Sequence, residues 1–244
     1  MTDGTAIKTV WLDNPPVNAV DAGIIETLWR ELDDDLGEGT RVVVLRGKGE
    51  RAFSAGADIG GFQQAGADSE RPAGIQPVAD LIERTPVPVV AAIHGYCLGG
   101  GLEIALACDF RIARRDAQLG FPEVNLGLLP GGGGTQRAPR LISPGRARWL
   151  TMSGERIEAT TAAEWGLVEF VVDDLEEGIA RYVEPLAKQS PHAIKQIKQL
   201  LYETRDERSD EREVAAFVAC LQSEDGQEGV AAFLEKREAR WTGR

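Results

Sequence analysis

Glu103 and Glu123 are the side chains in this sequence best placed to do chemistry. Each follows an apolar segment and adjoins glycine-rich backbone: Gly99, Gly100 and Gly101 beside the first, Gly131-Gly132-Gly133-Gly134 after the second. Two carboxylates on converging loops can hold one water between them, one taking its proton while the other donates a proton elsewhere. A lone loop glutamate is ordinarily just solvated. Glycine stretches that bare the backbone to a ligand count against that reading here.

The elements around Glu103 sharpen the chemistry. Residues 89–93, Val-Val-Ala-Ala-Ile, read as a buried strand, and residues 102–108 are strong helix formers. Strand, glycine turn and helix start therefore follow one another. Unpaired N–H groups at a helix start lie at the positive end of the helix dipole, which makes an oxyanion site. A carboxylate beside such a site suggests proton transfer at an activated carbonyl compound.

Further strands are expected at 7–12, 42–45, 110–113, 118–121 and 167–172. Helices are expected at 21–36 behind an Asp21 cap, at 77–84, at 135–141 behind Thr135, and over most of the chain from Pro144 onward. Small residues crowded at 52–59 imply a close approach to the backbone. Residues 60–76 read as a mobile loop. The pattern is α/β, with a front part mixing strands and helices and a helical last third.

The chain has 244 residues and a net charge of −12, from 27 basic and 39 acidic residues. That length suits one large domain. The acidic balance argues against general nucleic-acid binding, which depends on Lys and Arg at phosphates. Cys97, Cys108 and Cys220 have neither metal-site nor disulfide-framework spacing and fit a reducing cytoplasm. No apolar run approaches membrane-spanning length, and the first residues do not read as a signal peptide. His94 reads as structural and His192 as a surface residue, so no metal is expected. Ser54 lacks the glycine pattern of a hydrolase nucleophile elbow.

Several separated motifs, in order, resemble the crotonase (enoyl-CoA hydratase/isomerase) superfamily: Asn14-Pro15-Pro16-Val17-Asn18-Ala19-Val20, residues 53–59, 95–109, 121–127 and 130–137, Ala162-Ala163-Glu164-Trp165-Gly166-Leu167-Val168, and the tail around Phe233 and Lys236. The resemblance implies a spiral of strand-strand-helix turns over about residues 1–185. A helical oligomerisation region over 186–244 would belong to the same functional unit and build a homotrimer or homohexamer.

It also implies an acyl-CoA thioester substrate, coenzyme A being part of that substrate, and no other cofactor. The thioester oxygen would sit between the backbone N–H groups of Ala57 and Gly100. Glu103 would orient a water and help draw off its proton, while Glu123 would deliver a proton to Cα. Gly131 matches the glycine bordering the water site. Pro16, Val17, Ala55, Asp58 and Ile59 match positions along the CoA channel, Pro122 adjoins the acid, and Phe217, Phe233 and Lys236 match tail positions that reach CoA. Gly60 stands where the family often has a phosphate-contacting Lys. Two glutamates favour a 2-enoyl-CoA hydratase. Double-bond isomerisation or a biosynthetic dehydration remains open, and an RNA-binding or scaffolding role is the remote alternative.

Overall fold

The structure is a computed structural model that describes residues 6–58, 74–202 and 209–244. Most of the expected loop 60–76, with Ile59 and Gly60, lies outside the described residues.

Five strands form one parallel sheet: β1 (Ile7–Leu12), β2 (Val42–Gly47), β4 (Val89–Ile93), β6 (Phe110–Arg114) and β9 (Phe170–Val172), side by side in that order. Every residue of β4 is buried, as is the run Val42, Val43, Val44 and Leu45. A parallel sheet is covered on both faces, which is why these strands read as continuous apolar runs and do not alternate. A smaller sheet holds β3 (Ala52–Ser54), β5 (Tyr96–Leu98), β7 (Gln118–Gly120) and the antiparallel β8 (Arg156–Glu158).

The chain steps repeatedly from the large sheet to the small one and then to a helix. β2 and β3 lead to α2 (Ile75–Arg84), and β4 and β5 lead to α3 (Gly100–Ala107). β6 and β7 lead to a 3-10 turn (Pro122–Leu126) and then α4 (Gly134–Leu141). This is the expected spiral. The main core fills the space between the sheets and α1 (Ala22–Trp29), α2 and α3, with Leu28, Phe53, Ile82, Leu102 and Phe121 fully buried in it. A second cluster covers the far face of the large sheet, where Val44, Val90 and Ile112 meet Leu175 and Val183.

A π-helical turn (Arg30–Asp34) continues α1, and the remaining α-helices among the described residues are α5 (Pro144–Ser153), α6 (Ala159–Trp165), α7 (Leu175–Tyr182), α8 (Glu184–Ala187), α9 (Pro191–Tyr202), α10 (Ser209–Gln222) and α11 (Glu224–Glu235). Among the described residues, no helix is long and apolar enough to cross a membrane.

Several local expectations change. Asp21 does cap α1, accepting from Ile24 N at 2.8 Å. Thr135 caps nothing, because α4 already begins at Gly134 after the left-handed Gly133. The strand expected over 167–172 shrinks to Phe170–Val172, because the Leu167 and Val168 N–H groups turn back to Ala162 O and close the end of α6. Within the helical stretch expected from Pro144 onward, the helix beginning at Leu175 breaks at Val183, before Pro185. α11 starts behind the Ser223 cap and stops at Lys236, which turns left-handed at φ 55°.

Two buried ion pairs fix what lies around the site. Arg111 Nη1 donates to Ala105 O and Cys108 O, satisfying the C-terminal carbonyls of α3, and its other end pairs with Glu169. Lys198 of α9 reaches into the core and donates to Ile82 O, Val87 O and Asp109 Oδ2 at 2.8–3.1 Å. Asp109 also accepts from Val89 N at the start of β4. Lys198→Met would strand a buried carboxylate, so a loss of about 3–5 kcal/mol in denaturant unfolding is expected. A loss under about 1 kcal/mol would show that Asp109 is solvated there.

Candidate active site

Gly99 makes the site possible. Its φ of 49° and ψ of −125° are accessible to glycine, and they turn the chain from β5 into α3. α3 therefore starts at Gly100 with its first N–H groups free of helical partners. Gly100 lies against the chain leaving β3: a methyl group on Gly100 would stand 3.3 Å from Ala57 N. Ala57 is held by a parallel bridge to Val20, in which Val20 N donates to Gly56 O and Asp58 N to Val20 O. These bonds leave the Ala57 N–H out of the pairing. The two N–H groups thus sit on adjoining backbones at one wall of a cavity of about 450 Å³.

Both glutamates line the same cavity. Glu103, in the first turn of α3, is only 2% exposed. Its Oε1 accepts from Gly132 N at 2.7 Å and Gly134 N at 2.8 Å. Burial raises its carboxyl above the usual range, while those two N–H groups and the Arg137 charge oppose the rise. Glu123, on the 3-10 turn, packs against Gly99, where a methyl group would stand 2.9 Å from its Oε1. Its Oε2 is buried and has no hydrogen-bond partner among the described residues. Burial, with the Glu103 charge adding to it, pushes the Glu123 carboxyl up to about 7. The hydrogen bonding differs between the two like groups: Glu103 accepts two N–H bonds that favour its carboxylate, while burial and the Glu103 charge favour the proton on Glu123.

Ala55, Pro122 and Gly131 share the cavity wall with Ala57, Gly100 and the two glutamates. Ile75, Pro77, Leu126, Leu128 and Leu129 supply apolar wall; of these only Leu126 lies in a quoted motif. Three further residues expected along the CoA channel do not line the cavity. Pro16 and Val17 precede Asn18, with Val17 O accepting from Ala55 N at 2.9 Å, and Asp58 follows Ala57. Phe217, Phe233 and Lys236 lie on or just after α10 and α11, and the two rings are 64% and 83% exposed. Within one chain the fold does not bring these three to the cavity. His94 and His192 do not line it either. No cluster that could hold a metal is found among the described residues.

A family model described as enoyl-CoA hydratase/isomerase matches residues 2–244. The chain belongs to the enoyl-CoA hydratase/isomerase family. It is 40% identical over 207 residues to a crotonyl-CoA hydratase of Syntrophomonas wolfei, covering 82% of this chain and 80% of that one. It is 35% identical over 266 residues to a carnitinyl-CoA dehydratase of Salmonella typhimurium, covering 100% and 98%. Among solved structures, an enoyl-CoA hydratase from Bacillus anthracis superposes with a TM-score of 0.91 at 38% identity, covering 100% of this chain and 98% of that one. As a member of this family the chain has the expected fold, and its two glutamates and paired N–H groups fall in one cavity.

Proposed function

We propose that this protein is a 2-enoyl-CoA hydratase, adding water reversibly across the 2,3 double bond of an acyl-CoA thioester. The observation that carries the reading is the pair of carboxylates facing one cavity beside two backbone donors, with Glu103 buried and held by two N–H groups and the buried Oε2 of Glu123 without a partner among the described residues. In this reading the N–H groups of Ala57 and Gly100 take the thioester oxygen and stabilise the enolate-like charge that forms as Cβ is attacked. Glu103, ionised, accepts a proton from the water whose oxygen adds to Cβ. Glu123, protonated, gives its proton to Cα. Atoms balance, and the pair returns to its starting charge by exchanging one proton.

Coenzyme A is part of the substrate, and the reaction as written calls for no other cofactor. The exposed Phe217 and Phe233 favour a homotrimer or homohexamer in which tail residues, Lys236 included, reach a neighbour's CoA. Three free thiols, two of them buried (Cys97 and Cys108), support a cytoplasmic location, and the acidic charge supports a small-molecule partner in place of nucleic acid.

The first test is crotonyl-CoA. Loss of the conjugated enoyl-thioester absorbance with formation of 3-hydroxybutyryl-CoA is the expected result. Appearance of that absorbance from a 3-enoyl-CoA, with no hydration, would overturn the reading in favour of isomerisation.

A pH profile follows from the same pair. Hydration takes up no net proton, so the singly protonated pair is active in both directions. The profiles of kcat/KM for hydration and for dehydration should therefore share the same bell. Their alkaline limb should fall as the pH rises through about 7, where Glu123 loses its proton. A rate still climbing well above that pH would remove Glu123 as the acid.

A further inference from the structure

Arg137 has no place in the chemistry above, yet its guanidinium is buried and each of its three nitrogens donates a hydrogen bond. Its Nε and Nη2 fork onto the Glu83 carboxylate at 2.8 and 3.1 Å, and Nη2 also donates to Asp80 at 2.9 Å. Both acids belong to α2, the helix whose first residues Ile75, Gln76 and Pro77 line the cavity. The remaining nitrogen, Nη1, donates to Gly132 O at 3.0 Å.

That carbonyl is in a telling position. It belongs to the peptide between Gly132 and Gly133. The peptides on either side supply the Gly132 and Gly134 N–H groups that hold Glu103. Anchoring the middle peptide limits how far either donor can turn away from Glu103. Gly133 has φ 104°, and a methyl group there would stand 1.9 Å from Arg137 Nη1, so the guanidinium lies directly on this turn. A bidentate Arg–carboxylate fork is a rigid anchor, unlike a lysine point charge.

We propose that Arg137 is a positioning residue for Glu103, locking the glycine turn that orients the carboxylate and tying it to α2. The proposal rests on the hydratase reading for its catalytic consequence, but not for its structural one. The charged groups facing Glu103 are Arg137 from α4 and Glu123 from the 3-10 turn. Asp80 and Glu83 of α2 act on it through Arg137. Loss of the guanidinium removes one of the influences that oppose the rise of the Glu103 carboxyl.

The test is a ¹³C-carboxyl NMR titration of glutamate-labelled protein, with the Glu103 signal assigned by its loss in Glu103→Gln. In Arg137→Met the Glu103 midpoint should move up, and in Arg137→Lys, which keeps the charge without the fork, it should move up less. Circular dichroism confirms folding, and if Arg137→Met fails to fold, Arg137→Lys and the neutral Arg137→Gln carry the same readout. In turnover, kcat should fall roughly 10- to 100-fold in Arg137→Met, with partial rescue in Arg137→Lys, as a small misplacement of a catalytic group costs. The titration is read without turnover, so a protein that hydrates no enoyl-CoA would sink the hydratase reading and leave this inference testable. An unmoved Glu103 midpoint in folded variants would overturn it.

Discussion

Glu123→Gln should lower kcat for crotonyl-CoA hydration by roughly 10³-fold while binding of the CoA ester persists, since positioned acid–base groups contribute about 10²–10⁴-fold. The amide is nearly isosteric with the protonated carboxyl, so the shape of the cavity is kept. What disappears is the transferable proton. Because Oε2 has no hydrogen-bond partner among the described residues, the change costs that atom no hydrogen bond there. It also relieves the burial and the Glu103 repulsion that push the carboxyl up to about 7. The variant should therefore match the parent below about pH 4.5 and gain on it as the pH rises from there to about 7, where the unfolded parent has ionised while the folded one still holds its proton. The sign is fixed by linkage: a carboxyl whose folded value is raised loses stability as the pH rises past its ordinary value. Activity lost with melting temperature retained is the expected pair of results. Near-normal turnover would remove Glu123 from the mechanism.

Much of the site was legible because chemistry and local structure left their marks together. Glycines that bare a backbone, an apolar strand before them and a helix former after them placed Gly100 and Glu103 correctly at a helix start. The long apolar strands were legible because both faces of the large sheet are covered. β3, β5 and β8 were not, each being three residues long, too short to show a period of two. Nor was the hold on Glu103. The four glycines at 131–134 read as a loop, but only the folded chain shows that two of their N–H groups turn inward to a carboxylate from α3. Arg137 closed the motif at 130–137 without a readable role, since its partners Asp80 and Glu83 are far away in sequence. A buried Arg is recognisable only by the acids that surround it, and those come from another turn of the spiral.

The second large effect concerns the backbone donors, which no side-chain substitution removes. Gly100→Ala tests them by crowding. The added methyl would stand 3.3 Å from Ala57 N and 3.6 Å from Ala57 Cβ, filling the space beside the Ala57 donor. It would also stand 2.2 Å from Ile75 Cδ1, but that atom is the free end of a flexible side chain and can rotate away. Gly100 is helical, and alanine in a helix gains up to about 1 kcal/mol over glycine, so the fold should survive. The loss should fall on the transition state, whose oxyanion needs both donors at contact distance. Removing one such donor typically costs about 10²–10³-fold in kcat, and blocking the shared space should cost at least that much. Gly145→Ala in α5, where a methyl group meets nothing within 4 Å, is the matched control and should leave turnover unchanged. If Gly100→Ala kept the parent's kcat, the thioester oxygen would have to bind elsewhere, and the assignment of Ala57 would fall with it. If kcat fell with the melting temperature and Gly145→Ala both unaffected, the two N–H groups would be fixed as the point at which this fold stabilises the developing charge.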